Sequence, residues 1–185
     1  MDFSKYNNIN ETLNKFGGMK QTLLNKNLYA NAMQSWEKLF EEDLKQIDVE
    51  INNAVELKSY AKTYRTLVTK KAILVFNLRT FTAIPVNDIL WIYNRVVVQK
   101  MNFIPINKTH YLTIFTKDGD YIYIGENHTG GFSKKMPNDE EMAKIKSVLD
   151  GVRKGIVYGA DEEMYRLCTQ DLAAAIEKVE NASME

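Results

Sequence analysis

Cysteine occurs once in these 185 residues, at Cys168, and histidine only twice, at His110 and His128. A lone thiol excludes an intrachain disulfide and any metal site built from several cysteines. It fits a reducing compartment, so the chain reads as cytoplasmic. Neither sign of charge is in excess, with 24 basic against 24 acidic residues. A neutral total exerts no overall pull on nucleic acid or on an anionic bilayer, so neither is an expected partner. No apolar run reaches the ~18 residues of a membrane-spanning helix. The first residues, MDFSKYNNINE, lack the apolar segment of a secretory leader. Proline occurs three times and glycine nine times, which leaves little low-complexity or linker sequence.

What the chain does have is an ordinary apolar fraction, 45%, enough for one domain with a helical extension. Residues 1–54 read as a helical region. Leu23, Leu24, Leu28, Ala32, Met33, Trp36, Leu39, Phe40, Leu44 and Ile47 recur mostly at three and four. Gly17-Gly18 separate a short first helix from this longer one. The acidic residues Glu37, Glu41, Glu42 and Asp43 read as its solvated side.

From Val55 onward the pattern is that of strands: 55–58, 64–68, 72–77, 80–86, 89–99, 111–116 and 120–125. Asp118-Gly119, between two alternating runs, marks a hairpin. A two-residue loop there would oppose Thr116 to Tyr121, Phe115 to Ile122, Tyr111 to Glu126 and His110 to Asn127. Helix resumes after Pro137, with Asn138 and Glu141 spaced as a capping box and Gly155 at its end. A final helix is predicted over residues 161–181. Helices, then consecutive strands, then helices indicate an α+β fold. The expected architecture is a strongly bent antiparallel sheet or partly open barrel spanning 55–185, with N-terminal helices and two C-terminal helices.

The densest apolar run, Ile84 to Val98, lies at the centre of this pattern. Regular alternation would place Leu90, Ile92, Asn94, Val96 and Val98 on one face and Ile89, Trp91, Tyr93, Arg95 and Val97 on the other. Both faces then need cover. Ile89, Trp91, Tyr93 and Val97 form the candidate interaction surface, since together they would expose a few hundred Å² (order of magnitude) of apolar area. Either a helix of the same chain covers them, or a partner protein or second copy does.

No catalytic, cofactor-binding or metal-ligating set emerges. Gly125 to Gly131 has the glycine spacing of a phosphate-binding loop, but Gly131-Phe132 stand where lysine and serine or threonine are needed, so a surface loop is expected. His110 and His128 fall on opposite faces of their hairpin and would not share a metal. Cys168 lies on an apolar stripe and reads as structural. The sequons Asn107-Lys108-Thr109 and Asn127-His128-Thr129 occur in an asparagine-rich chain. The pairs Lys70-Lys71 and Lys134-Lys135 leave peripheral binding to anionic lipid as an alternative. An enzyme without a recognisable motif is a further alternative.

The segment TFTAIPVNDILWIYNRV resembles a signature of uncharacterised bacterial proteins, in which an apolar strand leads into I-P-x-x-D-I-x-W-x-Y. GIVYGADEEMYRL is similar to the entry of their last helix. The likeness runs from Lys70 to Val179. It implies a pleckstrin-homology-like domain, a curved antiparallel sheet crossed by a C-terminal helix, with a protein-binding or scaffolding role and no catalytic residues to carry over. The expected function is therefore a non-catalytic intracellular domain acting through protein or peptide contacts.

Overall fold

The computed structural model describes residues 1–59 and 64–184. The fold is α+β, with six α-helices and two four-stranded sheets among those residues, neither of them closed. The chain divides into two compact units. The first takes the residues up to Leu57 and those from Tyr64 to Asn87; the second takes Lys58, Ser59 and Asp88 onward. The compositional boundary at residue 54 falls inside the first unit, because the strands that follow it pack with the helices before it.

In that first unit, α1 (Asn7–Lys15), α2 (Lys26–Glu37) and α3 (Glu41–Glu50) accompany the antiparallel sheet β1 (Val55–Glu56), β2 (Arg65–Val68), β3 (Ala72–Asn77) and β4 (Thr80–Pro85). Alternation puts Leu67, Leu74 and Ala83 in one row across the sheet. That row meets Ile9, Leu13, Trp36, Leu44 and Ile47 from the helices in a single core. Trp36 sits at its centre, stacked on Phe81 and met edge-on by Phe3. Its indole N–H donates to the Phe81 carbonyl.

The expected long helix is two helices, broken at Lys38–Phe40. Glu37, exposed, ends α2, and the exposed Glu41 and Glu42 with Asp43 form the first turn of α3, where carboxylates complement the helix dipole. Asp43 also accepts from the Phe40 N–H at 3.2 Å. Leu23 and Leu24 precede α2 and are 99% exposed, so they do not belong to its buried stripe.

The second unit holds β5 (Ile89–Met101), β6 (Ile104–Thr116), β7 (Tyr121–Gly130), α4 (Asp139–Leu149), β8 (Val157–Tyr158), α5 (Glu162–Gln170) and α6 (Leu172–Met184). The strand order is β7-β6-β5-β8, with β8 parallel to β5. A parallel neighbour needs a long crossover, and here α4 is that crossover. The sheet is thus mixed rather than antiparallel throughout. The predicted last helix is also two, because Asp171 leaves helical geometry and its carboxylate accepts from the Ala174 N–H at 3.1 Å. Three C-terminal helices stand where two were expected.

The hairpin turn holds three residues rather than two. The Gly119 N–H donates to Thr116 O and the Thr116 N–H to Asp120 O, with Gly119 at φ +83°. A type I turn followed by a left-handed glycine builds such a loop. It moves the register by one, so Phe115 opposes Tyr121. A bulge at Ile124 restores the expected pairing further on, where Tyr111 meets Glu126 and His110 meets Asn127. The glycine-spaced segment from Gly125 is therefore mostly β7 strand, not a loop.

Candidate functional site

The four residues of the expected surface are separated by one irregularity at the start of β5. Ile89 opposes Thr116 and Trp91 opposes Phe115, so Leu90 is an extra residue. Such a bulge reverses the alternation. Ile89 lies on the opposite face from Trp91 and is fully buried. From Trp91 onward alternation holds: Trp91, Tyr93, Arg95 and Val97 share a face, paired with Phe115, Thr113, Tyr111 and Thr109 of β6.

The chain itself covers the near end of that face. Trp91, Leu90 and Phe115 pack with Met164 of α5 and with Ala175 and Val179 of α6. Trp91 is 3% exposed, and its indole N–H donates to the Gly159 carbonyl at 2.7 Å. Trp91 is therefore anchored internally, and it is not a free surface residue. Cys168 joins the rim of this cluster, and burial pushes its thiol up to about 11, which keeps it protonated and unreactive.

Further along, the cover ends. Tyr93 stacks on Trp91 with ring centroids 3.9 Å apart, and burial pushes its phenol up to about 12. Beyond it Tyr111 and Tyr123 are 4.7 Å apart, and the Arg95 guanidinium donates to Tyr123 Oη at 2.7 Å; Phe115 and Tyr121, 4.6 Å apart, lie beside Trp91 at the covered end. Val97 is 42% exposed. Where β8 leaves the sheet, Trp91, Tyr93, Asn94, Ala160, Asp161, Glu162 and Tyr165 line a broad open groove of about 540 Å³. Asp161 caps α5 by accepting from the Met164 N–H at 2.7 Å. Glu162 is exposed beside it, and Tyr165 is 63% exposed.

The same place leaves a strand edge open. β8 occupies the outer edge of β5 only at Trp91 and Ile92, after which the Gly159 N–H donates to Ile92 O. Among the described residues no strand pairs with that edge from Tyr93 to Met101. Aromatic rings, two carboxylates and an open row of backbone groups therefore meet at one point.

The reverse face of β5 is closed by a polar cluster. Asn138 does not cap α4, because its side chain is used elsewhere. It donates to Asn94 Oδ1 at 2.9 Å and to His110 O at 3.1 Å, and accepts from Asn127 Nδ2 at 2.7 Å. Asn94 Nδ2 lies 3.3 Å from His110 Nδ1, which leaves the ring proton on Nε2 to donate to Thr129 Oγ1 at 2.8 Å. Burial lowers the proton affinity of His110, so the ring is neutral at pH 7. Glu141, expected to complete the capping box, is buried and accepts from the Lys58 N–H at 2.8 Å.

His128 is on the other face, opposite Thr109, and pairs with Glu126 at 3.1 Å. The two histidines do not converge. Among the described residues no group of three or more His, Cys, Asp or Glu is arranged to hold a metal ion. No helix among them is long and apolar enough to cross a membrane.

Sequence reading found Trp91 and Tyr93 but missed Asp161, Glu162 and Tyr165. The available signal was the acidic-aromatic entry D-E-E-M-Y of the last helix, which reads locally as a helix start. Compared with family models, curated proteins and solved structures, the chain finds no match.

Proposed function

We propose that the chain is a non-catalytic binding protein that adds an extended peptide to the open edge of β5, with one basic side chain of that peptide in the groove. The observation that carries this reading is the coincidence of the open edge from Tyr93 with the groove of Trp91, Tyr93 and Tyr165. Backbone groups on an exposed edge supply affinity to any extended segment, and side-chain pockets beside it supply selection. Aromatic faces with Asp161 and Glu162 at the rim favour a lysine or arginine, through cation–π attraction and charge pairing. Tyrosine and tryptophan are also the residues that contribute most to binding at protein surfaces.

This reading extends the binding or scaffolding role expected from the pleckstrin-homology-like resemblance, with a protein partner. Selection of random displayed peptides against the intact chain tests it. Enriched sequences should share a basic residue within an extended, β-prone segment. They should lose binding to Tyr165→Ala and to Glu162→Lys. Selection that yields no consensus, or peptides bound equally by both variants, would remove the groove from the proposal.

A further inference from the structure

The far end of the β5–β6 hairpin is the most apolar exposed part of the second unit. Val97, Val98, Met101, Phe103, Ile104 and Ile106 are all exposed there, with Phe103 at the tip 97% exposed. The next turn is fastened alongside. The Gly131 N–H donates to Ile106 O at 3.2 Å, and a Cβ on Gly131 would collide with the Pro105 carbonyl. That contact sets exposed Phe132 beside the hairpin, followed by Lys134 and Lys135.

Charge is segregated in the same place. Residues 96–116 and 127–138 contain Lys100, Lys108, Lys134 and Lys135 and no Asp or Glu. The carboxylates that flank the second of these segments are Glu126, which is paired with His128, and Asp139, which opens the acidic first turn of α4. A net charge of zero for the whole chain conceals this local excess.

The tip also carries strain. Asn102 and Phe103 form the two-residue turn with φ of +49° and +65°. Asparagine tolerates that geometry, but the second position favours glycine, and an aromatic residue held there is costly. An apolar ring presented on strained backbone at a projecting tip is unfavourable in water, and its burial elsewhere would offset that cost.

We propose that this end of the sheet is a membrane-docking wedge. Phe103, Met101, Ile104 and Phe132 enter the headgroup–acyl boundary and exposed Lys100, Lys134 and Lys135 face anionic lipid, while Lys108 Nζ donates to Ser133 O at 2.7 Å and fastens the neighbouring turn. Exposed apolar side chains combined with basic ones are the pattern of interfacial membrane binding, in which both contributions are needed for stable attachment. A second copy of the chain is a poorer occupant, since it would set like-charged lysines against one another.

Co-sedimentation of the intact chain with phosphatidylcholine vesicles, with and without phosphatidylserine, tests this at low and high salt. The wild-type chain should bind the phosphatidylserine vesicles and be released by salt. Phe103→Gly should lower partitioning about ten-fold or more, as expected for losing one buried aromatic ring. Lys134→Gln and Lys135→Gln should each lower it about five-fold. Phe103→Gly also relieves the turn, so a melt at or above the wild-type temperature would show that lost binding is not lost folding. Absence of vesicle binding, equal binding by Phe103→Gly, or equal binding to neutral vesicles would each overturn the proposal. So would concentration-dependent self-association abolished by Phe103→Gly, which would assign the tip to a second copy.

Discussion

The two tryptophans of this chain are both buried and both donate their indole N–H to a backbone carbonyl, Trp36 to Phe81 and Trp91 to Gly159. Their surroundings differ. Trp36 is enclosed on every side, by Phe3, Phe81 and the helices of the first unit. Trp91 is enclosed by α5 and α6 but stacks on Tyr93 at the wall of an open groove. An identical side chain with an identical hydrogen bond is thus a keystone in one place and a foundation for a surface in the other. Burial alone does not separate the two roles; what the ring supports does.

That contrast is sharpest where a whole ring is removed. Trp36→Ala should cost about 3–5 kcal/mol, the range for large-to-small changes in a closed core, and should show in a denaturant melt as a large fall in midpoint. A variant that loses under 1 kcal/mol would mean the first unit repacks freely and Trp36 is no keystone. The next largest effect belongs to the closed reverse side of β5. Asn138→Ala strands the polar groups of Asn94, Asn127 and the His110 carbonyl, for a loss of about 1–3 kcal/mol. A melt unchanged from wild type would show that water replaces the amide there.

A smaller effect follows from His110. Burial, seconded by Lys108 and opposed by Asp139, lowers its proton affinity in the folded chain. As pH falls, the unfolded chain takes up the proton first. The contribution of this residue is therefore complete above about pH 6.5 and is lost progressively below it. Denaturant melts at pH 7.5 and pH 5 should differ more for the wild-type chain than for His110→Gln, and equal differences would remove His110 from the pH response. The smallest effect is none at all. In a Trp36→Phe background, Trp91 emission should be blue and should stay so on dilution, because α5 and α6 provide its cover. A red shift on dilution would move Trp91 to an intermolecular interface.

Much of the fold could be read from local pattern. β3 and β4 lie within a residue of their expected limits, since a strong alternating apolar pattern leaves little choice of register. Asp118-Gly119 marks the hairpin, but a three-residue loop differs from a two-residue one only in backbone geometry, so the register beside it is shifted by one from the expected pairing. The first half of β6, from Ile104 to His110, lies outside the expected strand 111–116, because Pro105 and Asn107-Lys108 interrupt the apolar alternation that marks a strand. The bulge at Leu90 has no signal in its own residues, and it alone moved Ile89 off the expected surface. The groove was half legible. Trp91 and Tyr93 stand out within one strand, whereas Tyr165 joins them only through the crossover that brings α5 over the sheet. The lysine cluster was hidden for a related reason. Charge totals average over the chain, while the excess is assembled from two segments that meet only across the sheet.

The cover of Trp91 also sets an order of events during synthesis. Ala175 and Val179, which close over the indole, follow it by about 85 residues, an interval of roughly 4–18 seconds at ordinary elongation rates. Throughout that interval β5 and β6 can pair, but the aromatic face of the young hairpin has no lid. The growing chain then presents for seconds the surface that the finished protein shows only as a groove. This interval is when another nascent chain meets the least resistance to pairing with the β5 edge. Arg95 and Lys100 lie along that edge, and charged side chains of this kind discourage such contacts. Slowing translation after β7 should therefore lower the yield of folded protein more than slowing it before β5.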